Sequence, residues 1–104
     1  EPMWEIAKKY KSKIPICIGT GSGRINAFKT IRLMGAEDFF DYVVTANDVE
    51  NHKPHPDTFL LSAERFNVAP SKCLVFEDGR LGVDAALAGG MNVVFIAEFE
   101  FYTP

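Results

Sequence analysis

Cys73-Leu74-Val75-Phe76-Glu77-Asp78 is the stretch on which the fold turns. Four apolar residues follow one another without polar alternation, the pattern of a strand covered on both faces in a parallel sheet. The run stops on two carboxylates, Glu77 and Asp78, which such a strand delivers at its C-terminal end. Downstream, Leu81, Val83, Ala85, Ala86 and Ala88 predict a helix of small residues able to lie close on a sheet. Gly89-Gly90 stops it before a further strand, Val93-Val94-Phe95-Ile96.

Upstream, Val68-Ala69-Pro70-Ser71 reads as a turn. It is preceded by a helix with Pro56 at its first position, Asp57 favouring the dipole, and Phe59, Leu60, Ala63 and Phe66 as the buried stripe. Asn47 to His55 is polar and loop-like, and Tyr42-Val43-Val44-Thr45 predicts a strand. Before it, Ile25, Phe28, Ile31, Leu33 and Met34 mark an amphipathic helix ended by Gly35. Ile14-Pro15-Ile16-Cys17-Ile18 predicts a buried strand running into the loop Gly19-Thr20-Gly21-Ser22-Gly23, and Met3, Ile6, Ala7 and Tyr10 predict a short opening helix. The order α-β-α-β-α-β-α-β implies an α/β, Rossmann-like doubly wound parallel sheet with right-handed crossovers. Ligands of such sheets bind beyond the C-terminal strand ends.

A chain of 104 residues holds one core and can bury roughly 65% of its unfolded surface. With 47% hydrophobic and 24% charged residues it lies far from disordered compositions, and no repeat or linker divides it. Fourteen acidic against eleven basic residues, without a basic run, exclude nucleic acid as the expected partner. The one basic concentration, Lys8, Lys9, Lys11 and Lys13, reads as a solvated helix face and exit. No stretch of about eighteen apolar residues exists, and EPMWEIAKKY has no apolar centre, so neither a membrane span nor a secretory leader is expected. Cys17 and Cys73 lie singly in apolar runs, as buried free thiols do in a reducing, cytoplasmic setting. The chain opens on Glu1 rather than Met, so a segment upstream of it is expected.

Three polar features arrive from separate elements. Glu77 and Asp78 offer hard oxygens suited to magnesium. Thr20 and Ser22, with the amides of Gly21 and Gly23, offer a hydroxyl and a backbone nest for a phosphate. This loop matches neither the P-loop nor the dinucleotide fingerprint, which wants Gly where Arg24 stands. Lys53, within His52-Lys53-Pro54-His55-Pro56, is an ammonium on a backbone stiffened by two prolines. His52 and His55 lack the further Cys or His partners a zinc site needs and read as solvated. A cation, a hydroxyl with amides and a carboxylate pair together suit phosphoryl transfer, in which charge on the equatorial oxygens must be balanced.

In these residues the chain resembles the haloacid dehalogenase superfamily, and within it the β-phosphoglucomutase-like sugar phosphatases and mutases. Ile16-Cys17-Ile18-Gly19-Thr20-Gly21-Ser22 is similar to the second motif of that family, Lys53-Pro54-His55-Pro56-Asp57-Thr58-Phe59 to its lysine loop, and Val75-Phe76-Glu77-Asp78 with Gly82, Ala85-Ala86 and Gly90-Met91 to its fourth motif. The resemblance implies that Thr20 binds the transferring phosphoryl group and Lys53 steadies nucleophile and phosphate. It implies that Glu77 and Asp78 help hold Mg2+, and that Gly21, Ser22 and Arg24 contact the substrate. Gly79 and Gly89 depart from the residues usual there.

The larger departure is the family's first motif, Asp-x-Asp-x-Thr/Val, which supplies the aspartyl nucleophile and has no counterpart in residues 1–104. The cap that closes over the site in relatives is missing too. Residues 1–104 are therefore expected to be a partial core domain without the first, central strand, and the two strand edges so exposed are expected to destabilise the segment, to pair with each other or to invite self-association. The implied activity is that of a phosphatase, ahead of a phosphomutase, on a small phosphorylated metabolite such as a sugar phosphate, with the nucleophile contributed from outside this segment. The alternatives are a non-catalytic phosphate-binding or interaction module and, behind it, a receiver-like signalling domain.

Overall fold

The computed structural model describes residues 2–96, with the side chains of residues 2 and 3 left aside. The elements alternate as α1 (Pro2–Tyr10), β1 (Cys17–Gly19), α2 (Arg24–Leu33), β2 (Tyr42–Val44), a 3-10 turn η1 (Ala46–Asp48), α3 (Asp57–Arg65), a second turn η2 (Pro70–Lys72), β3 (Leu74–Glu77), α4 (Arg80–Ala88) and β4 (Asn92–Phe95). The expected order holds throughout. Of the strand predicted over Val93-Val94-Phe95-Ile96, Ile96 falls outside β4, though its N–H still donates to Glu77 O at 2.9 Å.

All strand pairing is parallel, as the apolar run Cys73–Phe76 predicted, but the sheet comes in two halves. β1 pairs with β2 in the register Cys17↔Tyr42, Ile18↔Val43, Gly19↔Val44. β3 pairs with β4 from Leu74↔Asn92 to Glu77↔Phe95. Among the described residues β1 and β3 do not hydrogen-bond to each other, so each has a single strand partner. What joins the halves is α3, which packs on β1, on β2 and on α4. Gly19 permits this closeness: a Cβ there would stand 2.6 Å from Thr58 Cγ2 and 3.2 Å from the Phe59 ring.

The core of the second half is Phe59, Ala63, Ala85, Ala86 and Met91, with Cys73, Val75 and Val93 packed against it. Ala85 and Ala86 of α4 are fully buried, so the helix of small residues does lie close on the sheet. In the first half Ala27, Ile31, Ala36 and Val44 are buried. The stripe predicted for α2 is therefore corrected: Ala27 and Ile31, one helical turn apart, face inward, whereas Ile25 is 84% and Leu33 79% exposed. Leu81, at the start of α4, is also exposed.

The first strand also starts later than the apolar run suggested. Ile14 is exposed, Pro15 has no N–H to give, and the Ile16 N–H donates to Asp41 Oδ2 at 2.7 Å instead of to a ladder partner. The Asp41 N–H returns a bond to Ile16 O at 2.7 Å, pinning the β1–β2 register. Pro56 likewise stands one place earlier than predicted, as the N-cap of α3. Three helices end alike. After α2, α3 and α4 a residue with positive φ follows the cap (Gly35, Asn67, Gly90), and paired N–H groups return to the last turn, as in Ala36 N to Ile31 O and Met91 N to Ala86 O, both 3.0 Å.

Helix α1 is tied to the segment after α2 by aromatic contact: the Trp4 ring lies 4.5 Å from Phe39 and 6.2 Å from Phe40. Lys11 takes part, with its ammonium 5.1 Å from the centre of the Phe39 ring and donating to the Phe39 carbonyl. This corrects the reading of the lysine cluster as wholly solvated. Lys8 pairs with Glu5 one turn earlier at 3.0 Å.

Candidate functional site

The C-terminal ends of β1 and β3 are linked by Lys53, which brings Glu77 and the Gly19–Thr20 turn together. Lys53, on the loop before α3, reaches back under that helix. Its ammonium donates to Glu77 Oε2 at 2.8 Å and to Gly19 O at 3.3 Å, and lies 4.9 Å from the centre of the Phe59 ring. Lys53 and Glu77 are 19% and 13% exposed, so this ion pair is shielded yet borders solvent. The Lys53–Pro54 peptide is cis.

Glu77 ends β3 with both carboxylate oxygens engaged. Oε2 takes the lysine, and Oε1 accepts the N–H of Asp78 at 3.2 Å and of Gly79 at 3.4 Å. Its side chain lies directly against Gly82 in the first turn of α4, where any Cβ would overlap the carboxyl group. Asp78, one residue on, is exposed, and its carboxylate accepts no hydrogen bond from the described residues. Glu77 is thus the fixed carboxylate and Asp78 the available one. No group of three or more Asp, Glu, His or Cys residues gathers among the described residues. This donor set fits a hard cation that takes one or two carboxylates and keeps waters, and does not fit a zinc-like site. His52 and His55 are exposed, as expected.

Thr20 follows β1 directly, with its N–H donating to Val44 O at 2.9 Å, so β2 fixes where the hydroxyl emerges. Thr20 Oγ1 accepts the N–H of Ser22 at 3.1 Å, which leaves the hydroxyl proton to donate outward. The amide of Ser22 is therefore turned inward, and Gly21 and Ser22 form the exposed rim.

Arg24 is placed differently from the other candidates. Its guanidinium is held by Asp48, Nη2 to Oδ1 at 2.7 Å, and its backbone N–H donates to Asn47 Oδ1 at 2.7 Å. Asp48 Oδ2 also accepts the N–H and the hydroxyl of the fully buried Thr45, at 2.8 and 2.9 Å. The Thr45 amide, then its hydroxyl and Arg24, hold the Asp48 carboxyl below its ordinary range. The structure so brings Lys53, Glu77 and the Gly19–Thr20 turn together, leaves Asp78 open beside them, and ties Arg24 to η1.

Asn47, Asp48 and Gly82 were given no role from sequence. Thr45-x-x-Asp48 does carry a legible capping-box spacing, and the structure forms that box. Nothing local marks Asn47, whose partner lies 23 residues away.

A family model described as haloacid dehalogenase-like hydrolase matches residues 2–90. Fructose-1-phosphate phosphatase YqaB of Escherichia coli is 43% identical over 93 residues, which is 89% of this chain and 50% of that protein. A phosphorylated carbohydrates phosphatase of Thermotoga maritima is 38% identical over 82% of this chain and 40% of its own length. Among solved structures, a β-phosphoglucomutase of Clostridium difficile matches with a TM-score of 0.80 at 31% identity, over 94% of this chain and 45% of that one. The chain spans about half the length of the first two of these relatives or less.

Proposed function

From a chain that belongs to the haloacid dehalogenase-like hydrolases, we propose a Mg2+-dependent phosphatase acting on a small phosphorylated metabolite, a sugar phosphate in the first instance. The observation that carries this reading is the Lys53 ammonium held between Gly19 O and Glu77, the residues that directly precede Thr20 and the open Asp78 in the chain. A phosphoryl group in transfer needs positive charge and fixed donors around its oxygens, and those are the groups that converge. The phosphatases of sugar phosphates among the relatives support the substrate class.

In this proposal Thr20 donates its hydroxyl proton to a phosphoryl oxygen while the Ser22 amide fixes the lone-pair side of the same hydroxyl. Gly21 and the rim of the loop face the substrate. Lys53 balances negative charge and is kept from swinging away by Glu77 and the Gly19 carbonyl. Asp78, backed by Glu77, would help hold a magnesium ion, which when bound would lower the charge repulsion on the phosphate. In this proposal the attacking aspartate would come from a segment outside residues 1–104, within which no Asp-x-Asp run occurs. Release of phosphate by water ranks ahead of return to a sugar, and the two free thiols suit a cytoplasmic setting. That same missing run keeps a second reading in place, a phosphate-binding module without turnover.

The test uses the complete gene product, its intact mass recorded, with a panel of sugar monophosphates in the presence of Mg2+ and then of chelator. Metal-dependent phosphate release that is lost in Lys53→Met and Asp78→Asn is the expected result. No release by a pure, folded protein that still binds inorganic phosphate would leave the binding-module reading standing instead.

A further inference from the structure

Helix α2 begins under the phosphate-facing loop, and its N-cap, Gly23, has no side chain with which to bond the first turn. The bond comes from elsewhere. Asn47 in η1 presents Oδ1 to the Arg24 N–H at 2.7 Å, across 23 residues of chain. The same short turn stitches the loop twice more: the Ala46 N–H donates to Ser22 O at 2.9 Å, and Asp48 pairs with the Arg24 guanidinium. Residues 20–24 are thus held by their edge to 44–48 and have no side-chain cap of their own.

We propose that Asn47 is a positioning residue for the Thr20–Arg24 loop: by capping α2 from η1 it sets the direction of the loop's remaining donors toward an anionic phosphate. The inference rests on the reading of that loop as the phosphate site. It adds that the site's shape is set from the β2–η1 junction. The role assigned to Asn47 runs through its oxygen, which the exposed Arg24 amide engages. Loss of the bond leaves every donor of the loop present but no longer fixed, and misplacement of donors by a fraction of an ångström weakens binding steeply.

The cap and the positioning role can be separated, since Gly23 lies at φ −68° and ψ 163°, a conformation open to any residue. A Cβ there would meet Asn47 Oδ1 at an ordinary 3.5 Å. The Gly23→Ser hydroxyl would cap α2 in the usual way, through later amides of the first turn, without restoring the link to η1. The experiment titrates inorganic phosphate into the complete gene product, wild type, Asn47→Ala, and Asn47→Ala with Gly23→Ser. It follows the amide resonances of Thr20, Gly21 and Ser22 together with the melting temperature. Asn47→Ala is expected to weaken phosphate binding by about tenfold. Adding Gly23→Ser should return the melting temperature while leaving the affinity low. Recovery of affinity along with stability would make Asn47 a helix cap only, and unchanged affinity in Asn47→Ala would end the proposal outright. Wild-type resonances of residues 20–22 that ignore phosphate would instead remove the phosphate reading itself, and the positioning role with it.

Discussion

The Lys53 ammonium stands 2.8 Å from Glu77 Oε2 and 3.3 Å from Gly19 O, and with those two bonds one side chain links the ends of β1 and β3, strands that do not pair with each other. An ion pair this shielded behaves differently from a surface pair, whose median worth is close to zero. Removing one partner leaves the other with unmet desolvation.

Replacing Lys53 by Met keeps the stem against Phe59 and removes the charge. It is expected to lower the free energy of unfolding by about 2 kcal/mol, because Glu77 retains only its two backbone donors. Glu77→Gln should cost less, since Oε1 can still accept those amides. In urea melts the double variant should be no worse than Lys53→Met alone; strictly additive losses would show that the two side chains do not share one interaction.

Gly82→Ala tests how Glu77 is held. A Cβ at position 82 overlaps the carboxyl group of Glu77, so the side chain must leave Lys53 or α4 must lift from β3. A loss of about 2 kcal/mol is expected, together with weaker phosphate binding, since overpacking of this size costs roughly 1–3 kcal/mol. Gly79→Ala is the control: φ is −123° and the nearest atom to its Cβ is Glu77 Oε1 at 4.0 Å, so stability should move by less than about 0.5 kcal/mol. Equal melting temperatures for the two variants would rule out the packing argument.

These glycines also show what sequence could and could not disclose. The element order, the parallel strands and the delivery of Thr20 and Glu77 at strand ends were all legible from Cys73–Asp78 outward, because an apolar run that stops on polar residues is a local signal. The inward face of α2 was not. Ile25, Leu33 and Met34 are as apolar as Ile31, and only the tertiary packing decides that Ala27 and Ile31 turn inward. The division into two half-sheets was legible in the lack of a strand to lie between β1 and β3, whereas the 23-residue reach from Asn47 to Arg24 leaves no periodic trace.

Asp48 gives the pH dependence. Its carboxyl is held below the ordinary range in the folded chain, chiefly by the Thr45 amide. A group with a depressed folded value stabilises the fold fully above its unfolded value, about 3.9, and loses that contribution as pH falls through the folded value. Asp48→Asn should therefore be less stable than wild type at pH 7, with the gap closing as the pH drops below about 4. Denaturation curves from neutral pH down into the acid range read the difference directly. A gap that stays constant over the whole range would mean that the carboxylate charge contributes nothing.

Cys17 lies on β1 two residues before the Gly19 carbonyl that accepts from Lys53, so its reactivity bears on whether a thiol could take part in the chemistry. Burial, and after it the nearby Asp41 carboxylate, push the Cys17 thiol up to about 11. At pH 8 that leaves on the order of one thiolate in a thousand, against about a quarter for an unperturbed thiol near 8.5. Burial raises Cys73 as well, and its thiol points to Ala69 O at 3.6 Å. Alkylation by iodoacetamide at about pH 8, followed by peptide mass, should be slower at Cys17 in the folded protein than in urea by on the order of a hundredfold. Rapid labelling of Cys17 without denaturant would mean that burial does not hold this thiol up in the folded protein. Slow labelling would exclude a reactive thiol on β1, and would leave the hydroxyl of Thr20 and the ammonium of Lys53 as the groups able to meet a phosphate.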